Sequence, residues 1–505
     1  MRRDLYLTIY LIYNYIAGLA TANPEIKNVV FIIIDDFRFP PETSVSLPNI
    51  EKMAANGIYF KNTFAQQALC APSRNSILTG RRPDALRLYD FYSYWRSSAG
   101  NFTTIPQLYK DNGYETYSVG KVFHPGISSN YTDDFPLSWT YLPYHPPTEK
   151  YKEDAVCKDE TSGKYQRNLV CPVRVKDQPG RSLPDLQSLE YARNILSKRR
   201  SKPFFLAIGF HKPHVPLKYP RKYLRRVPLK KVHLPKYPQM PANMPPVAWH
   251  PWTDVRRRTD IRSLNISFPY GTMPPKWTLK IRQSYYAAAT YIDDLIGILM
   301  SYVNKTDTIV VLTSDHGWSL GENGLWAKYS NFDAALKVPL IFNIPGKVPK
   351  SIETPVELVD IFPTLVQLSG IKANIPKCRR IDESVLCFDG QNLVPLMDAK
   401  FPSYLNYFAI SQYPRPSVYP KKTSDKPRLK KIKIMGYSIR TKRYRYTEWI
   451  SFNSTLFTRN WNITYGIELY DHMNDPEEHN NVYSISKYKA IASFLSKKLR
   501  AQVSV

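Results

Sequence analysis

The sequence near the amino end reads Asn28-Val29-Val30-Phe31-Ile32-Ile33-Ile34-Asp35-Asp36. Its six successive apolar residues, most of them β-branched, leave neither face of a strand polar. A strand of this kind is typical of a parallel sheet that helices cover on both faces. The run therefore predicts an α/β fold with a large, mostly parallel central sheet flanked by helices.

Two carboxylates end this strand, and a third ends another. Asp35 and Asp36 follow the first run directly, and Asp315 follows the apolar run over residues 308–313. In open α/β sheets, ligands gather beyond the carboxyl ends of the strands. Adjacent carboxylates repel each other unless a cation lies between them, and a hard divalent cation prefers oxygen ligands. The sequence therefore predicts a divalent metal at this edge. His316 could bind the metal, an anion or one of the carboxylates.

A further predicted strand, over residues 114–119, ends in basic side chains. It leads into Gly120-Lys121-Val122-Phe123-His124. A lysine at this edge of the sheet can neutralise an anion, and a histidine can transfer protons. Lys121 and His124 are therefore candidate site residues, although either one alone is more typical of a surface.

The strand predicted over residues 203–210 also leads into a polar cluster, His211-Lys212-Pro213-His214-Val215-Pro216. Two histidines and a lysine at one strand end form a cluster that indicates a functional site. We expect His214 to contact the leaving group or the anion, with His211 as the second candidate. Lys328, twelve residues after His316, is a candidate for a second contact with the anion.

A short motif around Cys70 reads Cys70-Ala71-Pro72-Ser73-Arg74 and is followed by Leu78-Thr79-Gly80-Arg81. The pattern predicts a helix that begins at Cys70, and the N-terminus of a helix favours anions. Arg74 lies one turn further on, where it can hold negative charge. A single Cys before Pro can also be a small buried apolar residue. The motif alone therefore does not decide between these two interpretations, and the strand-end clusters described above favour the functional one.

Taken together, these separated motifs resemble the type I sulfatases of the alkaline-phosphatase-like superfamily. The resemblance rests on Asp35-Asp36, the Cys70 motif, Gly120-Lys121, Lys212-Pro213-His214, Asp315-His316-Gly317 and Val359-Asp360-Ile361-Phe362-Pro363-Thr364. It extends over nearly the whole mature chain. It implies that the formylglycine-generating enzyme oxidises Cys70 to formylglycine in the endoplasmic reticulum. The hydrated aldehyde carries two hydroxyls on one carbon, of which one attacks sulfur and the other later expels sulfate.

The resemblance also implies the metal ligands and the catalytic residues. One calcium ion would be held by Asp35, Asp36, modified Cys70, Asp315 and His316. The sulfate group would be contacted by Arg74, Lys121, His124, His214 and Lys328. His214 would protonate the departing sugar hydroxyl and His124 would act as the base, but the two roles could be exchanged.

Three further stretches, residues 326–333, 411–417 and 434–441, resemble the branch of the family that acts on 2-sulfated iduronate. This implies removal of the 2-O-sulfate from terminal L-iduronate of heparan sulfate and dermatan sulfate. Another exo-sulfatase, acting on glucosamine 6-sulfate or on aryl sulfates, is the main alternative. One departure is Asn323, where the family usually has His in a Gly-Glu-His-Gly run. It bears on the packing of that loop more than on the chemistry.

Two other classes of protein stay open as alternatives. A phosphodiesterase of the same superfamily would use Thr or Ser as its nucleophile and usually two metals with more His ligands, so Cys70 argues against it. A secreted glycosaminoglycan-binding protein on an inactive sulfatase scaffold would lack one or more site residues. All of the site residues are present in this sequence.

The chain carries a formal net charge of +28, and the excess is clustered. Seven Lys or Arg and no acid lie between residues 218 and 231, and eleven Lys or Arg with a single Asp lie between residues 421 and 445. Such surfaces attract polyanions, unless they are simply solvated faces. No nucleic-acid-binding module is recognisable in the sequence. We therefore expect a sulfated glycosaminoglycan, and no nucleic acid, as the partner.

Several features predict the secretory route. Arg2 and Arg3 precede an apolar run over residues 5–19 and the small residues Ala20-Thr21-Ala22, which predicts a signal peptide over residues 1–22. No later stretch is long and apolar enough to span a membrane. Six Asn-x-Ser/Thr sites are present, at Asn101, Asn130, Asn265, Asn304, Asn453 and Asn462. We expect a lysosomal protein, or alternatively an extracellular one.

The five cysteines fit an oxidising compartment. Cys157 with Cys171, and Cys378 with Cys387, are close enough in sequence to close two small disulfide loops. The remaining thiol is Cys70, and its conversion to formylglycine would explain why it has no partner.

A chain of 505 residues is long enough for more than one domain. We predict a catalytic domain over residues 23–409 and a smaller C-terminal domain over residues 410–505, built from an antiparallel sheet and a packed helix. The Pro-rich segment over residues 218–276 is expected to be a long surface excursion.

Overall fold

The computed structural model describes residues 28–39, 45–159, 163–373, 375–378, 385–399 and 407–503. The predicted signal peptide, residues 1–22, lies outside these ranges. Among the helices within them, none is long and apolar enough to cross a membrane.

An eight-stranded sheet forms the centre of the molecule. Its strands are β1 (Asn28–Ile34), β2 (Ile58–Phe64), β3 (Glu115–Gly120), β4 (Phe204–Phe210), β5 (Thr308–Ser314), β6 (Lys337–Asn343), β7 (Lys350–Ile352) and β8 (Val356–Glu357). Their order across the sheet is β7-β2-β6-β5-β1-β4-β3, and β8 also pairs with β2.

The predicted parallel arrangement is confirmed for most of this sheet. Strand β1 lies between β4 and β5 and runs parallel to both, with Val30 opposite Leu206 and Val310. Strand β6 runs antiparallel to both of its neighbours, β2 and β5. Residues 29–34 are all buried, as expected of a strand that is covered on both faces.

Helices flank this sheet. The longer ones are α1 (Pro48–Ala55), α2 (Cys70–Thr79), α3 (Ile105–Asp111), α4 (Pro184–Leu196), α5 (Pro275–Met300), α6 (Ile361–Leu368) and α7 (Lys489–Val503). Short helices span Pro83–Leu86, Trp95–Ser98, Thr253–Arg256, Thr259–Arg262, Asp333–Leu336 and Val394–Asp398. Helix α2 begins at Cys70, as predicted. Helix α5 begins at Pro275, since Pro suits the first turn of a helix, and most of its buried residues lie from Ile281 onward.

The C-terminal part forms a second, antiparallel sheet. Its strands, paired in chain order, are β9 (Ala409–Arg415), β10 (Ile434–Arg440), β11 (Tyr444–Asn453) and β12 (Thr458–Asp471). Helix α7 packs on β10 and β11, which confirms the predicted sheet with its packed helix. The pattern does not predict β9, because Pro414 interrupts it. Proline is tolerated there since β9 is an edge strand.

The domain boundary near residue 410 stays a prediction. Ala409, Tyr413 and Trp449 join the core of the central sheet. Tyr437 and Leu495 belong instead to a second core under α7. The C-terminal sheet therefore packs on the larger part through one end and has apolar packing of its own at the other.

The segment over residues 218–276 is partly buried, which corrects the expectation of a surface excursion. Trp249, His250 and Trp252 are at most 1% exposed, and both tryptophans pack in the main core. The segment lacks the period of a helix or a strand, so its burial leaves no periodic signal in the sequence.

Both predicted disulfides are present, Cys157–Cys171 and Cys378–Cys387, and Cys70 is free and buried. All six asparagines of the predicted glycosylation sites are exposed. Shorter strand pairs complete the fold: Cys157–Lys158 with Tyr165–Gln166, Val170–Val173 with Leu217–Pro220, and Ser319–Leu320 with Trp326–Ala327.

Candidate active site

The predicted site residues meet at the carboxyl edge of the central sheet. Asp35 and Asp36 follow β1, Lys121 follows β3, and Asp315 follows β5. Because these strands are parallel members of one sheet, their carboxyl ends lie at the same edge. Helix α2 brings its first residue, Cys70, to this edge.

Asp35 is a fully buried carboxylate between two cations. Its Oδ1 accepts a hydrogen bond from Nη2 of Arg74 at 3.0 Å, and its Oδ2 accepts one from Nζ of Lys121 at 2.6 Å. Burial acts to raise the pKa of Asp35, but positive charges, that of Lys121 first, hold this pKa well below its ordinary value. Asp35 is therefore ionised, and it fixes the position of Lys121.

Asp36 has a strained backbone and one oxygen without a partner. Its φ is 60°, and its N–H donates to Oδ1 of Asp315 at 3.0 Å. Oδ1 of Asp36 accepts a hydrogen bond from Nζ of Lys328 at 2.6 Å, whereas Oδ2 is buried without a hydrogen-bond partner. Burial, together with the charges of Asp35 and Asp315, raises the pKa of Asp36 to about 7. Strain and an orphaned oxygen at one residue indicate a ligand site.

Four buried side chains, those of Asp36, Cys70, Asp315 and His316, offer ligand atoms that lie within 4.8 Å of one another. Nε2 of His316 lies 3.5 Å from a carboxylate oxygen of Asp36 and 3.5 Å from one of Asp315. Burial lowers the pKa of His316 to about 4, so the ring is neutral. Two carboxylates, one with an orphaned oxygen, and a neutral imidazole fit a divalent cation. Asp35, predicted as a further ligand, lies outside this group.

Arg74 lies behind the carboxylates and is fully buried. Its Nε donates to Oδ2 of Asp315 at 2.9 Å, and its Nη2 donates to Asp35. Its Nη1 donates to the carbonyl oxygens of Lys121 and Val122. Arg74 therefore ties α2 to the ends of β1, β3 and β5 and holds two carboxylates in place. Its predicted contact with sulfate stays a prediction.

Cys70 is held between a cation and an imidazole. Its Sγ lies 2.9 Å from Nζ of Lys328 and 3.4 Å from Nε2 of His316. Burial raises the pKa of the Cys70 thiol to about 12, despite the opposing charges of Lys121 and Lys328. A thiol that stays protonated is a weak nucleophile. The unmodified side chain is therefore poorly suited to attack a substrate.

Two neutral histidines face the same space. His214 donates from Nδ1 to the carbonyl oxygen of Val215 at 2.7 Å, which leaves its Nε2 3.8 Å from Oδ2 of Asp36. His124 packs against Phe91 with ring centroids 4.5 Å apart, and its Nδ1 has no hydrogen-bond partner among the described residues. Burial, reinforced by nearby lysines, holds the pKa of both rings well below the ordinary value.

A cavity of about 370 Å³ lies over Cys70. Four of the residues predicted to contact the substrate line it: Lys121, His124, His214 and Lys328. His211, the second candidate of its cluster, does not line it. Its Nδ1 lies 3.4 Å from Asp185 and its Nε2 lies 3.7 Å from Glu149.

The outer wall of this cavity is formed by residues that the sequence analysis did not identify, among them Tyr92, Lys152, Asp254, Arg257 and Lys426. Nζ of Lys426 donates to both carboxylate oxygens of Asp254 at 2.8 Å. These residues come from irregular segments that no local motif connects. The basic stretch over residues 421–445 is the one sequence signal that points to this wall, through Lys426.

Comparison with known proteins matches two family models to the chain. The model described as Sulfatase matches residues 27–371, and the one described as N-sulphoglucosamine sulphohydrolase, C-terminal, matches residues 321–504. Iduronate 2-sulfatase of Homo sapiens is 47% identical to this chain, over 93% of this chain and 93% of the human one. Iduronate 2-sulfatase of Mus musculus is 46% identical, over 94% of this chain and 93% of the mouse one.

The fold is shared more widely. The solved structure of a phosphonate monoester hydrolase from Silicibacter pomeroyi aligns with a TM-score of 0.69 at 22% identity, covering 94% of this chain and 95% of that one. At this identity the likeness concerns the fold, whereas the family model and the two relatives concern the family. The chain belongs to the sulfatase family.

Proposed function

We propose that this protein is a sulfuric ester hydrolase that removes the 2-O-sulfate from terminal L-iduronate of heparan sulfate and dermatan sulfate. The observation that carries the reaction is the position of Cys70, which lies beside Lys328 and His316 at the cavity that Lys121, His124 and His214 also line. The sugar is supported by the identity with human iduronate 2-sulfatase over most of both chains.

Sulfatases generally use a formylglycine and a divalent metal, and we propose that here Cys70 is the modified residue and calcium the metal. When present, the hydrated formylglycine supplies one hydroxyl that attacks sulfur and another through which sulfate is released, while calcium supplies positive charge. Asp36, Asp315 and His316 would hold the ion together with the modified Cys70. Asp35 stays a predicted ligand, although Arg74 and Lys121 already occupy its two oxygens.

Lys121 and Lys328 neutralise the sulfate oxygens in this proposal. Both are buried, line the cavity and are held by a carboxylate, Lys121 by Asp35 and Lys328 by Asp36. Because they are fixed before the substrate arrives, they stabilise the charge that develops on sulfate without a reorganisation cost.

His124 and His214 transfer protons in this proposal. A neutral His124 can accept the proton of the remaining hydroxyl of the hydrated formylglycine. His214 has to take up a proton before it can protonate the departing sugar hydroxyl, and the negative charge of a bound sulfate ester favours that form. The assignment of the two roles could be exchanged.

We further propose that the protein reaches the lysosome through the secretory pathway, with an extracellular location as the alternative. The two disulfides and the exposed glycosylation sites support passage through an oxidising compartment. The same route would bring Cys70 to the formylglycine-generating enzyme. A sulfated glycosaminoglycan is the substrate in either location.

The test is release of sulfate from a 2-sulfated iduronide by protein from a cell that makes formylglycine, beside a Cys70→Ala control. Turnover by the first protein and none by the control is expected. Glucosamine 6-sulfate and an aryl sulfate are assayed in parallel, and the mass of the Cys70 peptide reports its conversion. Converted protein that hydrolyses either of these but not the iduronide would overturn the proposed substrate.

A further inference from the structure

A strongly charged segment adjoins the cavity through Lys426, which lines it. It spans residues 421–431 and is called here the basic strap. Its exposed cations are Lys421, Lys422, Arg428, Lys430 and Lys431. Within the part of the chain that the structure describes, none of these five forms an ion pair. The strap presents its positive charge to the solvent, where it is free to bind an anionic partner.

Two contacts fix the basic strap against the cavity wall. Its one acid, Asp425, is buried and accepts hydrogen bonds from the N–H and the hydroxyl of Thr253, the neighbour of the wall residue Asp254. Further along, the N–H of Leu429 donates to Oδ2 of Asp90 at 2.7 Å, and Oδ1 of Asp90 accepts from the N–H of Tyr92 at 2.9 Å. The strap is therefore anchored to the cavity wall at Asp425 and Leu429.

The strap is continuous with the cavity lining through two of its side chains. Lys426 lines the cavity and is paired with Asp254. The guanidinium of Arg428 lies 4.7 Å from the centroid of the Tyr92 ring, which also lines the cavity. Arg257 also lines this wall; its side chain is 56% exposed and lies 3.5 Å from the same Asp254, so two cations share one carboxylate and a net positive charge remains. A cationic surface therefore extends from the cavity to the exposed strap.

We propose that the basic strap binds the inner sugars of a sulfated polysaccharide whose terminal sugar occupies the cavity at Cys70. This inference rests on the proposed function. A polysaccharide held by its end has to leave through the mouth of the cavity, and its next sugars carry carboxylate and sulfate groups. Lys and Arg bind such groups through charge-assisted hydrogen bonds. A nucleic acid would meet the same charges, but it carries no sulfate ester for the cavity.

This arrangement predicts how the strap affects the kinetics. Its five exposed cations lie outside the cavity lining, so they contact the polysaccharide equally in the ground state and in the transition state. Interactions of this kind lower KM and leave kcat unchanged. The strap adds little to the affinity for a disaccharide that ends within the cavity. Each of its cations adds to the affinity for a long polysaccharide.

The test compares two charge-removing variants of the full-length protein. The strap variant combines Arg428→Gln, Lys430→Gln and Lys431→Gln. The control combines Arg221→Gln, Lys222→Gln and Arg225→Gln, which removes three exposed cations from the other basic stretch, in the 3-10 helix Arg221–Arg226. In the strap variant, kcat/KM on heparan sulfate chains should fall about tenfold relative to kcat/KM on a 2-sulfated iduronide disaccharide, through KM. The control should keep the wild-type ratio.

An unchanged ratio in the strap variant, or an equal fall in both variants, would overturn the proposal. A binding experiment distinguishes failure of this proposal from failure of the proposed function. Inactive Cys70→Ala protein, with and without the strap substitutions, is titrated with labelled heparan sulfate and with DNA of equal charge. The substitutions should weaken binding of the polysaccharide more than binding of the DNA. An equal loss of affinity for both would overturn a specific site. Selective binding through the strap, in a protein that does not hydrolyse the disaccharide, would support the strap and overturn the proposed function.

Discussion

The ammonium nitrogen of Lys328 lies 2.9 Å from the sulfur of Cys70. The same ammonium group donates to Oδ1 of Asp36 at 2.6 Å. Burial acts to lower the pKa of Lys328, but the negative charge of Asp36 and its neighbours holds this pKa well above the ordinary value. Lys328 is therefore a fixed positive charge beside the reacting position. A charge placed there before reaction stabilises a transition state that gathers negative charge on sulfate.

Replacing Lys328 by methionine keeps most of the side chain's length and removes its charge. We expect Lys328→Met to lower kcat on a 2-sulfated iduronide about 100- to 1000-fold, with a smaller change in KM, because the lost interaction strengthens in the transition state. Initial rates measure both constants. Lys337→Met, at the start of β6 and outside the cavity lining, is the control and should keep the wild-type kcat. A Lys328→Met enzyme with a near-normal kcat contradicts this role.

Serine at position 70 offers one hydroxyl where formylglycine offers two. In Cys70→Ser, attack on sulfur can form a sulfate ester, but no second hydroxyl on the same carbon is present to expel the sulfate. We expect at most one turnover per molecule, and peptide mass spectrometry should find sulfate on the introduced serine. Cys70→Ala should give neither this single turnover nor a sulfated peptide. Sustained turnover by Cys70→Ser would show that release does not need the second hydroxyl.

Removing calcium should cost both activity and stability. Without an ion, burial and the neighbouring carboxylates raise the pKa of Asp36 to about 7, so this side chain is partly protonated at neutral pH. We expect a calcium chelator to abolish sulfate release and to lower Tm. Calcium at 100 times its Kd should restore about 3 kcal/mol of stability.

The matched variant for this experiment is Asp36→Asn, whose Tm should respond little to calcium. Wild-type protein that melts at the same temperature in chelator and in calcium would contradict a metal at Asp36, Asp315 and His316.

Much of the fold follows from local patterns. The apolar run of β1 has no polar face, so a position inside a parallel sheet was the arrangement that buries it fully. Strand β9 did not follow, because Pro414 is acceptable only at an edge, and the sequence does not reveal which strand is the edge. The burial of Trp249 and Trp252 was hidden for a related reason, since an irregular segment carries no period.

The inner site was predictable from the sequence and its outer wall was not. Asp35, Asp36 and Asp315 each follow a predicted strand, so the topology of a parallel sheet is enough to bring them together. Asp254 and Lys426 come from loops far apart in the chain, and their pairing depends on how both loops fold. The position of Arg74 behind the carboxylates also needed the structure, because its place in the helix does not tell which groups surround it.

His214 and His124 can be distinguished by the leaving group. If His214 protonates the sugar hydroxyl, His214→Gln should lower kcat on a 2-sulfated iduronide about 100- to 10,000-fold, because a sugar alkoxide leaves poorly without a proton. A nitrophenolate needs no such help, so the same variant should slow an aryl sulfate much less. His124→Gln, which removes the proposed base, should slow both substrates by similar factors. If the two variants show the opposite behaviour, the roles are exchanged.

Asn323 joins the catalytic part to the C-terminal part through three hydrogen bonds. Its Nδ2 donates to the carbonyl oxygens of Glu477 and Glu478, both at 3.0 Å, and its Oδ1 lies 2.9 Å from Nδ1 of His479. Its φ of 55° suits Asn. We expect Asn323→Ala to lower the free energy of unfolding by about 1–3 kcal/mol. Asn323→Gly, which tolerates this φ, isolates the loss of the side chain. If both variants keep the wild-type Tm, these hydrogen bonds do not stabilise the protein and the prediction is wrong.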